Sequence, residues 1–144
     1  MLDEGNLLKR LLEEFPEAAE EVARRSGNPS VMTPTWDDLE LDTELGMFLV
    51  LAFNAPVVEP RLEAPVVDPT ALRACFDFIE ELVTSSSAHI QRNTVTWVVD
   101  ALCKKMLYVE RALVWAGPVT RHELVLIVRH YSVPVDPALL EPPA

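Results

Sequence analysis

The chain has 144 residues, a length typical of one domain with its own buried core. Hydrophobic residues make up 49% of it and charged residues 24%, which excludes a disordered chain, and only 4 glycines argue against a many-stranded sheet protein. The net charge of −11 disfavours binding to the phosphates of nucleic acids.

Apolar spacing near the N-terminus predicts two short helices. The first is expected over residues 3–15, because its apolar residues recur every three to four positions: Leu7, Leu8, Leu11, Leu12 and Phe15. Pro16 either kinks this helix or opens a second one, whose apolar side is Ala18, Ala19, Val22 and Ala23. Ser26, Gly27, Asn28 and Pro29 are typical of a helix end, and residues 28–41 are expected to form a long connection.

The middle of the chain predicts a buried helix followed by an irregular segment. Asp42 or Thr43 is expected to cap this helix, which runs through the apolar residues 45–53. Because these residues are apolar nearly all round, we expect the most buried helix of the domain here. Asn54 and the prolines that follow it are expected to interrupt the helix, leaving residues 55–67 with little regular structure.

Three further helices are predicted in the C-terminal half. Asp68 followed by Pro69 is a strong helix start, and the helix is expected to reach Thr84. Its apolar face is Leu72, Cys75, Phe76, Ile79, Leu82 and Val83. The next helix is expected from residue 88 to residue 106, and then either continues to Trp115 or breaks near Leu107. Its inward residues are expected to be Val95, Val98, Val99, Leu102 and Met106. Residues 120–123 resemble a capping box for a last helix, with Leu124, Ile127, Val128 and Tyr131 facing the core.

These elements predict an all-α fold, a single compact bundle of six or seven helices over residues 1–133. Residues 134–144 are expected to form a proline-rich tail that is not helical and is mobile at its end. Proline-rich connections separate several of the helices.

Catalytic, cofactor and metal motifs are not expected in this chain. The three histidines, His89, His122 and His130, lack the spacing of metal ligands, and His89 is expected to face solvent near a helix start. Asp77 and Glu81 are interpreted as a solvated helix face rather than an acid–base pair, even if Asp100 approaches them. The sequence therefore predicts no catalytic residue, no cofactor and no metal.

Compartment is predicted from the cysteines and from the length of the apolar runs. Cys75 and Cys103 lie in separate helical segments, which is typical of reduced, buried thiols in a cytoplasmic protein. The N-terminus does not resemble a signal peptide. Residues 45–53, the longest apolar run, are about half of what a membrane span needs. We therefore expect a cytoplasmic protein without membrane contact.

Acidic residues concentrate in the first half of the chain. Residues 1–68 hold 15 acidic and 5 basic residues, a net charge of −10. Such a surface favours a basic protein partner, although the excess also serves solubility. Trp36 stands among carboxylates in a proline-bounded loop, as an anchor for a basic partner would, or it folds back onto the core. The predicted partner-binding residues are Trp36, Asp37, Asp38, Glu40, Asp42 and Glu44, with Glu17, Glu20 and Glu21 as a second patch.

Two stretches of sequence resemble a family of small uncharacterised bacterial proteins. Residues 12–17 (LEEFPE) and 76–82 (FDFIEEL) match the "EFPE" opening and the "FDFIEEL" helix of that family, and the resemblance covers about residues 7–115. Residues 55–67 and the extension from Gly117 depart from it. Some of these proteins are immunity proteins paired with secreted polymorphic toxins. The resemblance therefore implies an inhibitor of a basic toxin domain, which needs no catalytic residue.

Two other classes of function remain open from the sequence. One is a structural or adaptor subunit that forms a homodimer or larger oligomer through an apolar helix face. The other is a small enzyme or ligand carrier with a pocket between helices.

Overall fold

The computed structural model describes residues 1–27 and 34–141, and every regular element within them is helical. The predicted all-α bundle is confirmed. In chain order the elements are α1 (Leu7–Glu14), a 3-10 turn (Pro16–Ala18), α2 (Ala19–Ser26), α3 (Leu41–Leu49), a first π-helix (Val50–Val58), α4 (Glu59–Glu63), α5 (Pro69–Val83), α6 (Ala88–Asn93), a second π-helix (Thr94–Val99), a 3-10 turn (Leu102–Lys104), α7 (Met106–Trp115), α8 (Pro118–His130) and α9 (Pro137–Leu140).

The two predicted N-terminal helices form, but α1 begins at Leu7 and not at residue 3, and Ala19 and Ala23 of the predicted apolar side are exposed. Pro16 opens a second helical segment rather than kinking the first one. Gly27 ends α2 in the left-handed region, at φ 64°, where a glycine meets no steric penalty. The predicted stop at Asn28 and Pro29, and most of the predicted 28–41 connection, lie outside the described residues.

The core is built around the predicted central helix, which is longer than expected. α3, the first π-helix and α4 follow one another from Leu41 to Glu63, with a kink at Glu44, where φ is −117° and ψ is 15°. One face of this path is fully buried: Leu45, Phe48, Leu49, Ala52 and Phe53. The Phe53 ring lies 5.3 Å from those of both Phe15 and Phe78, so the two stretches that carry the family resemblance meet in the core.

The expectation that Asn54 interrupts this helix, and that residues 55–67 are irregular, is wrong as far as Glu63. In an α-helix the ring of Pro56 would collide with the carbonyl one turn earlier, and the wider π-helical turn relieves that collision. Burial of Val57 and Val58 favours continuing the helix instead of ending it. Only residues 64–68 connect α4 to α5 without helix.

The Leu41–Glu63 path is much longer than residues 45–53, the apolar run from which no membrane contact was predicted. At 23 residues it is long and apolar enough to cross a membrane, yet 56% of its most apolar window is buried inside the protein. The core helix of a globular domain has both properties, since its apolar surface is covered by other helices. Cytoplasmic location remains a prediction.

Helix α5 forms as predicted. The Asp68 carboxylate accepts hydrogen bonds from the amides of Thr70, at 3.1 Å, and Ala71, at 3.2 Å. Its six predicted core residues are all buried. The chain beyond α6 breaks at Lys105, in extended conformation, which confirms the break over a continuous helix to Trp115. Val98, Val99 and Leu102 are buried as expected, whereas Val95 and Met106 are only half-buried.

The predicted caps of α3 and α8 are wrong. α3 begins at Leu41, one residue before Asp42, and Glu40 precedes it in a left-handed conformation without a side-chain cap. α8 begins at Pro118, so Thr120 lies inside its first turn and is fully buried. Glu80 of α5 supplies the cap instead, accepting from the Val119 amide at 3.0 Å and the Thr120 amide at 2.8 Å.

The tail differs from the expected non-helical segment. Asp136 caps the short helix α9 by accepting from the Ala138 amide at 2.9 Å. Arg121 bonds the carbonyls of Leu139 and Glu141, so the last described turn is tied to α8. Residues 142–144 lie outside the described residues. Tyr131, predicted to face the core, is 58% exposed because α8 ends at His130.

Candidate functional site

The loop before α3 holds the predicted aromatic anchor, Trp36, and three of the predicted carboxylates. The Asp38 carboxylate accepts from the Thr35 amide at 2.8 Å, and the Thr35 hydroxyl accepts from the Asp38 amide at 3.2 Å. The backbone hydrogen bond from Thr35 lowers the pKa of Asp38, because it stabilises the charged form. The turn therefore presents Asp38 ionised, next to the exposed Asp37 and Glu40.

Trp36 is held by its own protein on two sides. Its indole N–H donates to Asp42 at 2.9 Å, and its ring packs edge-on to His89, with ring centroids 6.2 Å apart. His89 donates from Nε2 to the Leu41 carbonyl at 2.9 Å and accepts at Nδ1 from Asn93 at 3.2 Å. His89 is therefore half-buried and bonded, not the solvent-facing residue predicted. Because the Trp36 N–H already has an acceptor, only the face and edge of the ring can serve a partner.

Arg25 joins the two predicted acidic patches into one surface. Its Nη1 lies 2.7 Å from Glu44, and its Nε lies 3.4 Å from Glu21 without completing a hydrogen bond. The Arg25 side chain is 10% exposed, so it acts as a buried bridge between α2 and α3. We call the joined set the acidic surface, consisting of Glu17, Glu20, Glu21, Asp37, Asp38, Glu40, Asp42 and Glu44.

Several of these carboxylates are already paired. Glu17 lies 3.3 Å from Arg61, and Glu21 accepts a hydrogen bond from Arg24 and lies 3.4 Å from Nε of Arg25 as an ion pair. The hydrogen bond from Arg24 is the main cause of the lowered pKa of Glu21. Within the described residues, three members of the acidic surface have no hydrogen-bond or ion-pair partner for their carboxylates: Glu20, Asp37 and Glu40. These three are the charges most available to a partner.

An apolar groove of about 650 Å³ lies beside the acidic surface, between α1 and residues 34–36. Leu8 and Leu12 of α1 line it from one side and Trp36 from the other. Sequence reasoning assigned the two leucines to the core, whereas both are half-buried and packed against its edge.

A second apolar feature was missed by sequence reasoning. Met47 is 48% exposed, Leu51 38% and Trp97 41%, although all three belong to segments expected to be buried or half-buried. Met47 and Leu51 are four residues apart, so they share the side of the central helical path away from Leu45 and Leu49. Because residues 45–53 are apolar nearly all round, the sequence did not distinguish this exposed face from the buried one. A helical projection would have placed the two residues together, without showing that the described part of the chain leaves them exposed.

The carboxylates that could act as an acid–base pair lie apart or are engaged elsewhere. Glu81 bonds Arg10 at 2.7 Å, while the negative charge of Asp100 raises the pKa of Tyr131. Among the residues that the structure describes, no group of three or more His, Cys, Asp or Glu side chains could hold a metal ion.

The two thiols differ from each other. Cys75 is buried as predicted, accepts from Arg61 at 2.9 Å, and has a pKa raised by that burial. Cys103 is only half-buried and lines a cavity of about 400 Å³ with Asp100 and Tyr131. Burial raises the pKa of Cys103 to about 11, which makes it a weak nucleophile at neutral pH.

Comparison with known proteins returns no match: no family model, no curated protein and no solved structure matches the chain. The resemblance to the small bacterial proteins therefore stays a prediction.

Proposed function

We propose that this protein is a helical binding module that captures a basic protein, as an immunity or antitoxin-like inhibitor does. The observation that carries the proposal is the Arg25 bridge, which brings Glu21 and Glu44 from separate parts of the chain into one acidic surface. That surface holds eight carboxylates and contacts three guanidinium groups, those of Arg24, Arg25 and Arg61. It therefore keeps a net negative charge.

Charge on this surface acts mainly on the rate of encounter. A negative field attracts a positively charged partner over roughly a Debye length, about 8 Å at physiological salt, and raises the association rate. A toxin nuclease must be basic to bind nucleic acid, so an acidic inhibitor both reaches it quickly and covers its binding site. The three carboxylates without partners, Glu20, Asp37 and Glu40, bring this charge without first breaking an internal ion pair.

Affinity capture from cell extract with the parent protein, followed by mass spectrometry, supplies the partner for a kinetic test. The test variant carries Asp37→Asn, Asp38→Asn and Glu40→Gln. The matched control carries Asp77→Asn, Glu110→Gln and Glu141→Gln, which removes the same number of exposed carboxylates from other faces.

Surface plasmon resonance at two salt concentrations then compares the three proteins. The test variant should associate about tenfold more slowly at low salt and show a weaker salt dependence, with dissociation less affected. The control should stay within about twofold of the parent. Equal association rates for the test variant and the control would refute the acidic surface as the docking site.

A further inference from the structure

The exposed residues Met47, Leu51 and Trp97 form what we call the apolar strip. Met47 and Leu51 lie one turn apart on the central helical path, and Trp97 comes from the second π-helix, which packs against α3. Met47 and Trp97 line the same small cavity of about 130 Å³. Contiguous exposed apolar residues indicate an interaction site, whereas isolated ones are normal on a protein surface.

Trp97 is rigidly held yet incompletely satisfied. A Cβ added to Gly46 would lie 2.0 Å from Cδ1 of Trp97, so the ring rests directly on the backbone of α3. Within the described residues the indole N–H of Trp97 has no acceptor, unlike that of Trp36, which donates to Asp42. A rigid aromatic ring with a free donor binds with little loss of side-chain entropy, which is the property of aromatic anchors in interfaces.

Members of the acidic surface stand at both ends of the apolar strip. At one end Glu44 lines the Trp97 cavity together with Met47. At the other end Leu51 lines a second cavity of about 130 Å³ with Glu17, Glu20 and Glu21. The apolar strip and the acidic surface are therefore parts of one continuous face.

We propose that the apolar strip is the anchor site of the same basic partner, resting on the function proposed above. The partner would present an apolar side chain between Trp97 and Leu51, flanked by lysines or arginines that meet Glu44 and Glu20. A second copy of this chain fits less well, because each copy carries a net charge of −11. In a symmetric dimer the carboxylates at both ends of the apolar strip would face the same or neighbouring carboxylates of the other copy. Charge complementarity thus selects a basic occupant.

Two synthetic peptides serve as probes for this proposal. Both have about 18 residues, or five helical turns, and the same content of leucine and lysine. In one peptide the leucines recur at helical spacing and form an apolar face, whereas in the other the order is scrambled and no face forms. Isothermal titration calorimetry at low salt should show the amphipathic peptide binding at least about tenfold more tightly than the scrambled one.

Variants locate the binding to the apolar strip. The double variant Met47→Ser, Leu51→Ser should abolish the difference between the peptides. The matched control, Val114→Ser with Leu126→Ser, changes two exposed apolar residues of α7 and α8 and should preserve that difference. Trp97→Phe keeps an aromatic ring but removes the indole donor together with the pyrrole edge that packs on Gly46, and it should weaken binding several-fold. The Trp97 indole resonance should shift on titration with the amphipathic peptide.

Each outcome separates this inference from the proposed function. Equal binding of both peptides, insensitive to the double variant, would overturn the anchor site and leave the acidic surface standing. If neither peptide binds, the proposed function and the anchor site are both refuted. If the parent sediments as a dimer and the double variant as a monomer, the apolar strip is occupied by a second copy, and the basic occupant is refuted.

Discussion

Glu80 offers the sharpest test of how this fold is held together. Its carboxylate accepts from two amides at the start of α8, those of Val119 at 3.0 Å and Thr120 at 2.8 Å, and from the Thr120 hydroxyl at 2.8 Å. Gly117 permits this approach, since a Cβ there would lie 2.8 Å from Cδ of Glu80. One side chain of α5 thus satisfies the N-terminus of α8.

The cost of Glu80→Ala follows from these three bonds. Loss of a helix cap costs about 0.5–2 kcal/mol. The Thr120 hydroxyl is fully buried, and leaving it without a partner costs about 1–3 kcal/mol more. We therefore expect the free energy of unfolding to fall by about 1.5–5 kcal/mol, and Tm by about 10 °C for a domain of this size.

Urea denaturation followed by far-ultraviolet circular dichroism measures this loss. Asp77→Ala is the matched control, because Asp77 is an exposed carboxylate on the same helix, with no partner among the described residues. It should change stability by less than about 0.5 kcal/mol. In a double-mutant cycle, Thr120→Val should recover part of the loss caused by Glu80→Ala, since it removes the stranded hydroxyl. A Glu80→Ala protein as stable as the Asp77→Ala control would refute the trans-cap.

Further predictions concern close packing, the thiols and acid pH. A glycine-to-alanine change inside a helix usually stabilises it by about 1 kcal/mol. Gly46→Ala should instead destabilise the protein by about 1–3 kcal/mol and shift the Trp97 indole resonance, because the ring must move. A more stable variant with an unmoved resonance would contradict this. Both thiols should react slowly with Ellman's reagent at pH 8 until the protein unfolds, and Cys103 should react before the more buried Cys75. Fast labelling of either thiol in the native protein would disprove this prediction. The folded-state pKa of Glu21 is lowered from 4.5, so its contribution to stability is present above that value and lost as pH falls below it. Glu21→Gln should therefore lose less stability than the parent between about pH 5 and pH 3. Equal losses in the two proteins would contradict a stabilising role of the Glu21 carboxylate.

The sequence by itself determined the elements whose causes are local. Helix α5 is the clearest example, because its cap at Asp68 and its apolar spacing act between residues a few positions apart. The all-α class followed in the same way, whereas the expectation that residues 45–53 are buried nearly all round holds for only one face, because Met47 and Leu51 are exposed. Charge clustering in the sequence picked out the members of both acidic patches, but it left open whether Trp36 is a partner anchor or folds back onto the core. The use of these patches in binding is untested by the geometry.

Tertiary structure decided the features that depend on partners far along the chain. The helix passes Pro56 because burial of Val57 and Val58 outweighs a local breaking signal. α8 starts at Pro118 rather than Thr120, because its cap comes from Glu80, 40 residues away in sequence. Local pattern cannot show such a partner, since the contact exists only after the chain has folded.

The same reason limits prediction of the candidate site. Arg25 joins two acidic patches that are separate in sequence, so the single surface emerges only when α2 packs beside α3. Met47 and Leu51 look like core residues in a run of apolar letters. They are exposed because the described helices cover the opposite side of their helix and leave this one open. Composition sets how apolar a segment is, but only packing decides which of its faces is covered.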